Sequence, residues 1–492
     1  MSLILHNKFV ILTLKYYFCA PKQINMTANE SMTLSYQFKE LVRTDLSHAF
    51  QEQMPVELID EWVRESMPQS RECIFSPTNV ISTMLLSAIQ EDKSLQHGLN
   101  IFKTVFESRS RELLQTEAAL LEAEKQADAQ HAIKSGRPKQ YKSKLLKSFQ
   151  QPISGNTAAY STARKRLDKQ VFEIVYDHST DFGDCDDESW HGMRTFITDG
   201  TYLQLQDTED IKSEFTVKGM EESYPQALLQ AMIRQGTGQI AQYTLGSRHE
   251  SELLLVIPMI KKLEKNSLLL ADDLYNTYYH FCLILERQCH MIVPGKRDRN
   301  YKVIRTTGDN DQIVEISRTV RPDYVSREDW DKLPKTILLR RICYNYPTKN
   351  GMESAVLYTT VLDQTITAAD IVAKYTMRWD IEISIREIKT IMDINILRSK
   401  SREMLFKELI TALTAYNMVR KMIALSADNV GIPPQNDIFQ KCAPFNRSLL
   451  LDKKGRVFFK WSPGRCGYAD MANHRSFDTS PKRQKTTLYA KN

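Results

Sequence analysis

Near Trp190 the period of the apolar residues changes, and that change divides the chain into two kinds of structure. Upstream, Leu58 to Met67, Val80 to Gln90, Leu95 to Val105 and Glu112 to Gln130 place apolar residues every three or four positions, the period of an amphipathic helix. Downstream, Arg194 to Thr198 and Tyr202 to Gln206 read as two short strands around Asp199-Gly200, and Gln239 to Leu245 as a third. A helix at Ser251 to Lys265, an apolar strand at Leu268 to Ala271, a helix at Asn276 to Gln288 and a strand at His290 to Val293 follow. Such an order suits an α/β fold, a mixed sheet with helices packed on it. Between Lys302 and Asp363 the pattern is β-like (Val303, Ile304, Ile313, Val314, Ile316, Ile337, Leu338, Leu339, Val356, Tyr358), and helix returns at Ala368. An inserted β-rich subdomain is the simplest account.

A chain of 492 residues has room for about three units of ordinary domain size. Its apolar fraction of 42% and charged fraction of 26% predict a soluble folded protein and argue against a disordered chain or a transporter. The net charge of +6 is modest, so any nucleic-acid surface must come from clustering. Two clusters stand out. Arg137, Lys139, Lys142 and Lys144 lie in a Gly- and Pro-containing stretch expected to be an exposed loop, and Arg164, Lys165 and Arg166 lie on a predicted helix, Tyr160 to Leu167. Together they predict a phosphate-binding surface. Arg475, Lys482, Arg483 and Lys485 give the polar tail from Arg465 to Asn492 a basic character suited to nonspecific DNA contact. The eight cysteines are scattered, with no C-x-x-C and no zinc-ligand spacing, and read as free thiols in a reducing cytoplasm. The apolar opening MSLILHNKFVILTLKYYFCAP is broken by Asn7, Lys8 and Lys15, so an early start before Met26 or Met32 is expected rather than an export signal. No other run is long and apolar enough to suggest a membrane span.

In-line phosphoryl transfer is served by two divalent ions about 3.5–4 Å apart, held by carboxylates. Carboxylates at the ends of core elements are therefore the informative ones. Asp199 follows the strand Arg-Thr-Phe-Ile-Thr and precedes Gly200, which places it at a strand end before a turn; an Asp-Gly pair is, taken alone, more often only a hairpin turn. Asp272 caps an apolar strand, where open sheets commonly bind ligands, and Asp273 beside it is an alternative. On the predicted helix beginning at Tyr375, Arg378, Glu382 and Lys389 follow at offsets of 3, 7 and 14. At about 100° per residue they share an arc of roughly 60° with Tyr375. A carboxylate among cations can hold metal while its neighbours hold phosphates. Alternatively the face is solvated, with Glu382 and Arg386 as an i,i+4 pair.

The spacing Y-x2-R-x3-E-x6-K of Tyr375, Arg378, Glu382 and Lys389 resembles the signature of the D-D-E transposases of the insertion-sequence-four family. Trp379-Asp-Ile-Glu382, Arg386-x-x-Lys389, Trp190-His-Gly, Asp199-Gly-Thr201, Ala271-Asp272, Leu397-Arg-Ser-Lys-Ser401 and Tyr416-Asn-Met-Val-Arg420 are also similar to family segments. So are Asn156-Thr-Ala-Ala-Tyr160 and Ala163-Arg-Lys-Arg-Leu167, and the likeness runs from about residue 70 to 425. Two positions depart: Asp273 stands where the family often has Arg, adding negative charge beside the site, and Ile385 where it often has Phe.

The resemblance implies an RNase H-like core at 190–300 and 367–425, interrupted by the β-rich insertion at 301–366. A helical DNA-binding region at 33–180 would precede it, and a C-terminal region with a basic tail at 426–492 would follow. It further implies that Asp199, Asp272 and Glu382 bind two Mg²⁺ ions, for which Mn²⁺ can substitute, and that Tyr375, Arg378, Arg386 and Lys389 contact the DNA backbone. The expected activity is cut-and-paste transposition at terminal inverted repeats in a bacterial cytoplasm, with at least a dimer joining two ends to target DNA. A nuclease that cuts without joining and a decayed copy that only binds DNA are the other readings.

Overall fold

The computed structural model describes residues 53–428 apart from 71–72, 91, 105, 107–121, 123–152, 184–188, 217–223, 296–299, 349–350 and 391, with two short strands beyond. The expected helix at Glu112 to Gln130, the basic residues Arg137, Lys139, Lys142 and Lys144, and the basic tail lie outside the described residues.

The amino-terminal helices are α1 (Val56–Ser66), α2 (Pro77–Ala88), α3 (Ala158–Arg166) and α4 (Lys169–Ser179), with a further helical stretch at 95–104. Their starts follow local chemistry. The Ser76 hydroxyl accepts the Asn79 N–H and Pro77 opens the first turn of α2, while the Asp168 carboxylate accepts the Gln170 N–H at the start of α4. Ile59 and Val63 of α1, Val80, Ile81, Met84 and Leu85 of α2, and Val171, Phe172 and Val175 of α4 are buried in one core. Leu405, Leu409 and Leu413 of the long helix Arg402–Asp428 complete it.

The sheet comprises β1 (Met193–Gln204), β2 (Gln226–Arg234), β3 (Ile240–Ser247), β4 (Ser267–Leu270) and β5 (His290–Pro294). The insertion supplies β6 (Lys302–Gly308), β7 (Asp311–Ser317), β8 (Thr336–Thr348) and β9 (Gly351–Thr359). The order is β3-β2-β1-β4-β5-β9-β8-β7-β6, with Ser189–Trp190 paired to β1. β1, β4 and β5 run parallel, and β2 runs antiparallel between β1 and β3. An order of 3-2-1-4-5 with only the second strand reversed is the RNase H-like arrangement, as expected. The insertion strands are not a separate sheet. β9 pairs antiparallel with β5 through Tyr358 opposite Val293, so they extend the core sheet.

Both faces are covered, because alternate residues of a strand point to opposite sides. Leu268 and Leu270 of β4 join the core shared with α1, α2 and α4, whereas Leu269 and Ala271 join a second core. That second core contains α5 (Glu252–Leu255), α6 (Ile257–Lys262) and α7 (Tyr278–Glu286). The last helices are α8 (Ala368–Thr376), α9 (Asp380–Thr390) and α10 (Arg402–Asp428).

Four expectations need correction. Asp199-Gly200 is not a turn between two strands: β1 runs unbroken through both, held by β2 at Asp199 opposite Ala231 and Gly200 opposite Gln230. β2 itself has no counterpart in the sequence reading, since its almost wholly buried run carries no alternation to mark it as a strand. The helix expected over Ser251 to Lys265 is two short helices, with Pro258 at the start of the second. The helix carrying Tyr375 to Lys389 is interrupted by a 3₁₀ turn at Met377–Trp379.

Candidate active site

Parallel pairing of β1 with β4 ends at Ile197 opposite Leu270. Two residues further on, Asp199 and Asp272 leave neighbouring strands on the same side, at the carboxyl end of the parallel pair. β1 continues there along β2, whereas β4 stops and Asp272 caps a 3₁₀ turn at Asp273–Tyr275, accepting the Leu274 N–H at 2.9 Å. Asp273, the alternative ligand on sequence grounds, is exposed on that turn, while Asp272 is half-buried.

The Asp272 carboxylate perturbs that of Asp199. Burial, followed by the nearby Glu252 and Asp272 carboxylates, pushes the Asp199 carboxyl up to about 6, against the Gly200 N–H that donates to it at 2.9 Å and the Arg378 charge. Burial and Asp273 raise Asp272, and Arg378 opposes this too. Arg378 is thus the cation shared by both aspartates. It is buried, packs over Trp379 at 4.7 Å and places Nη2 3.6 Å from Glu382 Oε1, while its Nε has no hydrogen-bond partner.

Glu382 and Asp199 line one cavity of about 700 Å³ with Arg386, Lys389, Ile385 and Asn395. The 3₁₀ turn re-aims the chain so that α9 presents Glu382, Arg386 and Lys389 to it. Lys389 donates to Thr201 Oγ1 at 2.9 Å, tying α9 to β1 two residues past Asp199, and burial lowers its affinity for a proton. Tyr375 is half-buried at the end of α8, its phenol raised by burial and eased by Arg378. The arrangement brings Asp199, Glu382, Arg386 and Lys389 around one cavity, with Asp272, Arg378 and Tyr375 adjoining.

Oxygen-only donors suit a hard divalent cation, and two carboxyls whose charged forms burial disfavours gain from one. Asp199 and Asp272 fit that description by register and electrostatics. Among the described residues no three Asp, Glu, His or Cys are gathered closely enough to hold an ion as they stand. Glu382 lines the cavity with Asp199 and is engaged with Arg378, while Asp272 is not among its lining residues.

Arg164, Lys165 and Arg166 form the last turn of α3, apart from this cavity. Lys165 and Arg166 are exposed, and Arg164 is half-buried over Tyr160 at 5.8 Å. The buried Lys407 of α10 donates to the Lys165 carbonyl at 3.0 Å, so the helix end is fixed to the core. Cys73, Cys282, Cys289 and Cys343 are free thiols, and no helix among the described residues is long and apolar enough to cross a membrane.

Sequence reasoning did not assign the residues that support the site from behind. Glu252 lies against Gly200 and accepts the Tyr275 hydroxyl at 2.9 Å, and Gln230 donates to that hydroxyl at 2.7 Å. Behind α9, Glu387 accepts the Tyr416 hydroxyl at 3.2 Å and faces Arg420 at 3.7 Å. Only Tyr416 and Arg420 carried any signal, as part of a family-like segment.

The profile of the family described as Transposase DDE domain matches residues 190–418. The chain is 25% identical over 321 residues to the transposase InsG for insertion sequence element IS4 of Escherichia coli strain K12, covering 63% of this chain and 69% of that protein. Among solved structures it is similar to the piggyBac transposase in a synaptic complex with hairpin DNA, at TM-score 0.31 and 8% identity. That likeness spans 57% of this chain and 56% of the other, and is too slight to carry an argument.

Proposed function

We propose, from the match of residues 190–418 to the family described as Transposase DDE domain and the likeness to the transposase InsG for insertion sequence element IS4, that the chain cuts DNA at the terminal inverted repeats of an insertion sequence and joins the freed ends to target DNA. The observation that carries this is the shared cavity: Asp199 and Glu382 line it together with Arg386 and Lys389, and Asp272, two residues past the end of the β1–β4 pairing, lies within electrostatic reach of Asp199.

Asp199, Asp272 and Glu382 would hold two Mg²⁺ ions, or Mn²⁺ in their place. When bound, the ions supply Lewis-acid polarisation of the phosphodiester and of the attacking hydroxyl. The chain's own groups do the rest. Arg386 and Lys389 offer positive charge at the cavity wall to DNA phosphates, and Lys389 does so from a position fixed by Thr201. Arg378, with an unpartnered Nε, and Tyr375 can turn their donors to the backbone at the scissile end. Hydrolysis that frees a 3′-hydroxyl and attack of that hydroxyl on target DNA are both in-line phosphoryl transfers, so one site serves both.

In this reading the helical region at 33–180 grips the inverted repeats, with Arg164, Lys165 and Arg166 on phosphates. The insertion at 301–366 widens the core sheet, and two copies act together because two ends are joined. The test is incubation of the protein and its Glu382→Gln and Asp199→Asn variants with a plasmid bearing the flanking inverted repeats, with Mg²⁺ or EDTA. Metal-dependent cuts at the element boundary, lost in both variants, are expected. Cutting by Glu382→Gln at the wild-type rate would sink the assignment, and hydrolysis without joining of pre-cut ends would identify a nuclease instead.

A further inference from the structure

On the face of the sheet opposite Asp199, three buried or half-buried polar groups form a chain that ends on both strands of the site. Gln230 of β2, fully buried, donates from Nε2 to Thr198 Oγ1 at 2.8 Å and to the Tyr275 hydroxyl at 2.7 Å. Tyr275, also fully buried, donates that hydroxyl to Glu252 Oε2 at 2.9 Å. Thr198 immediately precedes Asp199, and Tyr275 closes the turn that Asp272 caps.

Glu252 returns to the first strand. A Cβ added at Gly200 would come to 2.6 Å from Glu252 Oε1, so only glycine lets this carboxylate lie against the backbone next to Asp199. Each aspartate therefore has a neighbour held by the same relay, Thr198 and Gly200 on one side and Tyr275 on the other. The pairing of β1 with β4 has ended before this point, so backbone hydrogen bonds between those strands no longer set the separation of the carboxylates.

We propose that Glu252, Tyr275 and Gln230 are positioning residues that set the spacing of Asp199 and Asp272 from behind the sheet, an inference that rests on those two being the metal-holding pair. Groups behind metal ligands orient them, and losing one commonly weakens metal affinity by about tenfold or more. The three residues touch neither DNA nor the ion in this account.

The test is Mn²⁺ binding to the full chain without DNA, followed by electron paramagnetic resonance, at a temperature where each variant keeps the wild-type far-ultraviolet spectrum. Tyr275→Phe and Glu252→Ala are expected to weaken Mn²⁺ binding by about tenfold. Glu252→Gln, whose amide oxygen still accepts the Tyr275 hydroxyl, should recover most of what Glu252→Ala loses. If Glu252→Gln loses as much as Glu252→Ala, Glu252 acts through its charge and the positioning role fails. If Tyr275→Phe binds Mn²⁺ like the wild type while Asp199→Asn does not, the relay alone is overturned. Should Asp199→Asn also bind normally, the ligand assignment fails and takes this inference with it.

Discussion

Arg378 Nη2 stands 3.6 Å from Glu382 Oε1, one turn apart across the junction between the 3₁₀ turn and α9. The same guanidinium lies within electrostatic reach of Asp199 and Asp272. In the free chain this arginine therefore favours the charged forms of both aspartates, and in the proposed function it becomes a phosphate donor on DNA. A hydrogen bond to a charged group contributes about 1.5–3 kcal/mol, or roughly 10- to 100-fold in affinity. Arg378→Ala should weaken binding of an inverted-repeat fragment by about that factor in a mobility-shift titration. Unchanged affinity would confine Arg378 to its role as the partner of Glu382.

Asp199 provides a pH test. Its folded value, about 6, lies above the usual carboxylate value of 3.8, so ionisation disfavours the fold. That penalty is absent below the unfolded value, grows between the two, and is complete above about 6. Asp199→Asn removes it. Without divalent metal, the variant should melt several degrees above the wild type near neutral pH, and the gap should close as pH falls from 6 towards 4. A gap that widened on acidification would contradict the sign.

Glu387 and Arg420 anchor the back of α9, both almost wholly buried. Removing the charge of one member of a buried pair costs about 3–5 kcal/mol when nothing else compensates, and Asp380, also within electrostatic reach of Arg420, offsets part of that here. Glu387→Gln should destabilise the chain by up to about 3 kcal/mol in a denaturant titration. Gly238→Ala should act in the same direction, because Gly238 has φ +71° and its missing Cβ is the space filled by Arg420. Wild-type stability of both variants would show that the pair is not what holds α9.

Arg164 and Arg166 test the proposed DNA contact away from the cavity. If each neutralises a phosphate, replacing both by Ala should lower affinity for the inverted repeat and reduce the slope of log K against log salt by nearly 2. An unchanged slope would remove α3 from the DNA surface.

The local signals were legible in the sequence. The apolar run before Asp272 and the spacing from Tyr375 to Lys389 depend only on near neighbours; the resemblance that this spacing carries implied the RNase H-like core, and of the residues it singled out Asp199, Glu382, Arg386 and Lys389 line one cavity. What tertiary structure alone decided is non-local. β2 escaped notice because burial on both faces erases the alternation that marks a strand. Asp199-Gly200 carries the local signature of a turn, but β2 pairs along its whole length and keeps the strand straight, and the glycine is needed for Glu252, which lies fifty-two positions away in the chain. The insertion's place beside β5, and the relay from Gln230 through Tyr275 to Glu252, likewise join distant segments. Hydrogen bonds and packing of that kind leave no periodicity behind, since their partners are chosen by the folded sheet rather than by position along the chain.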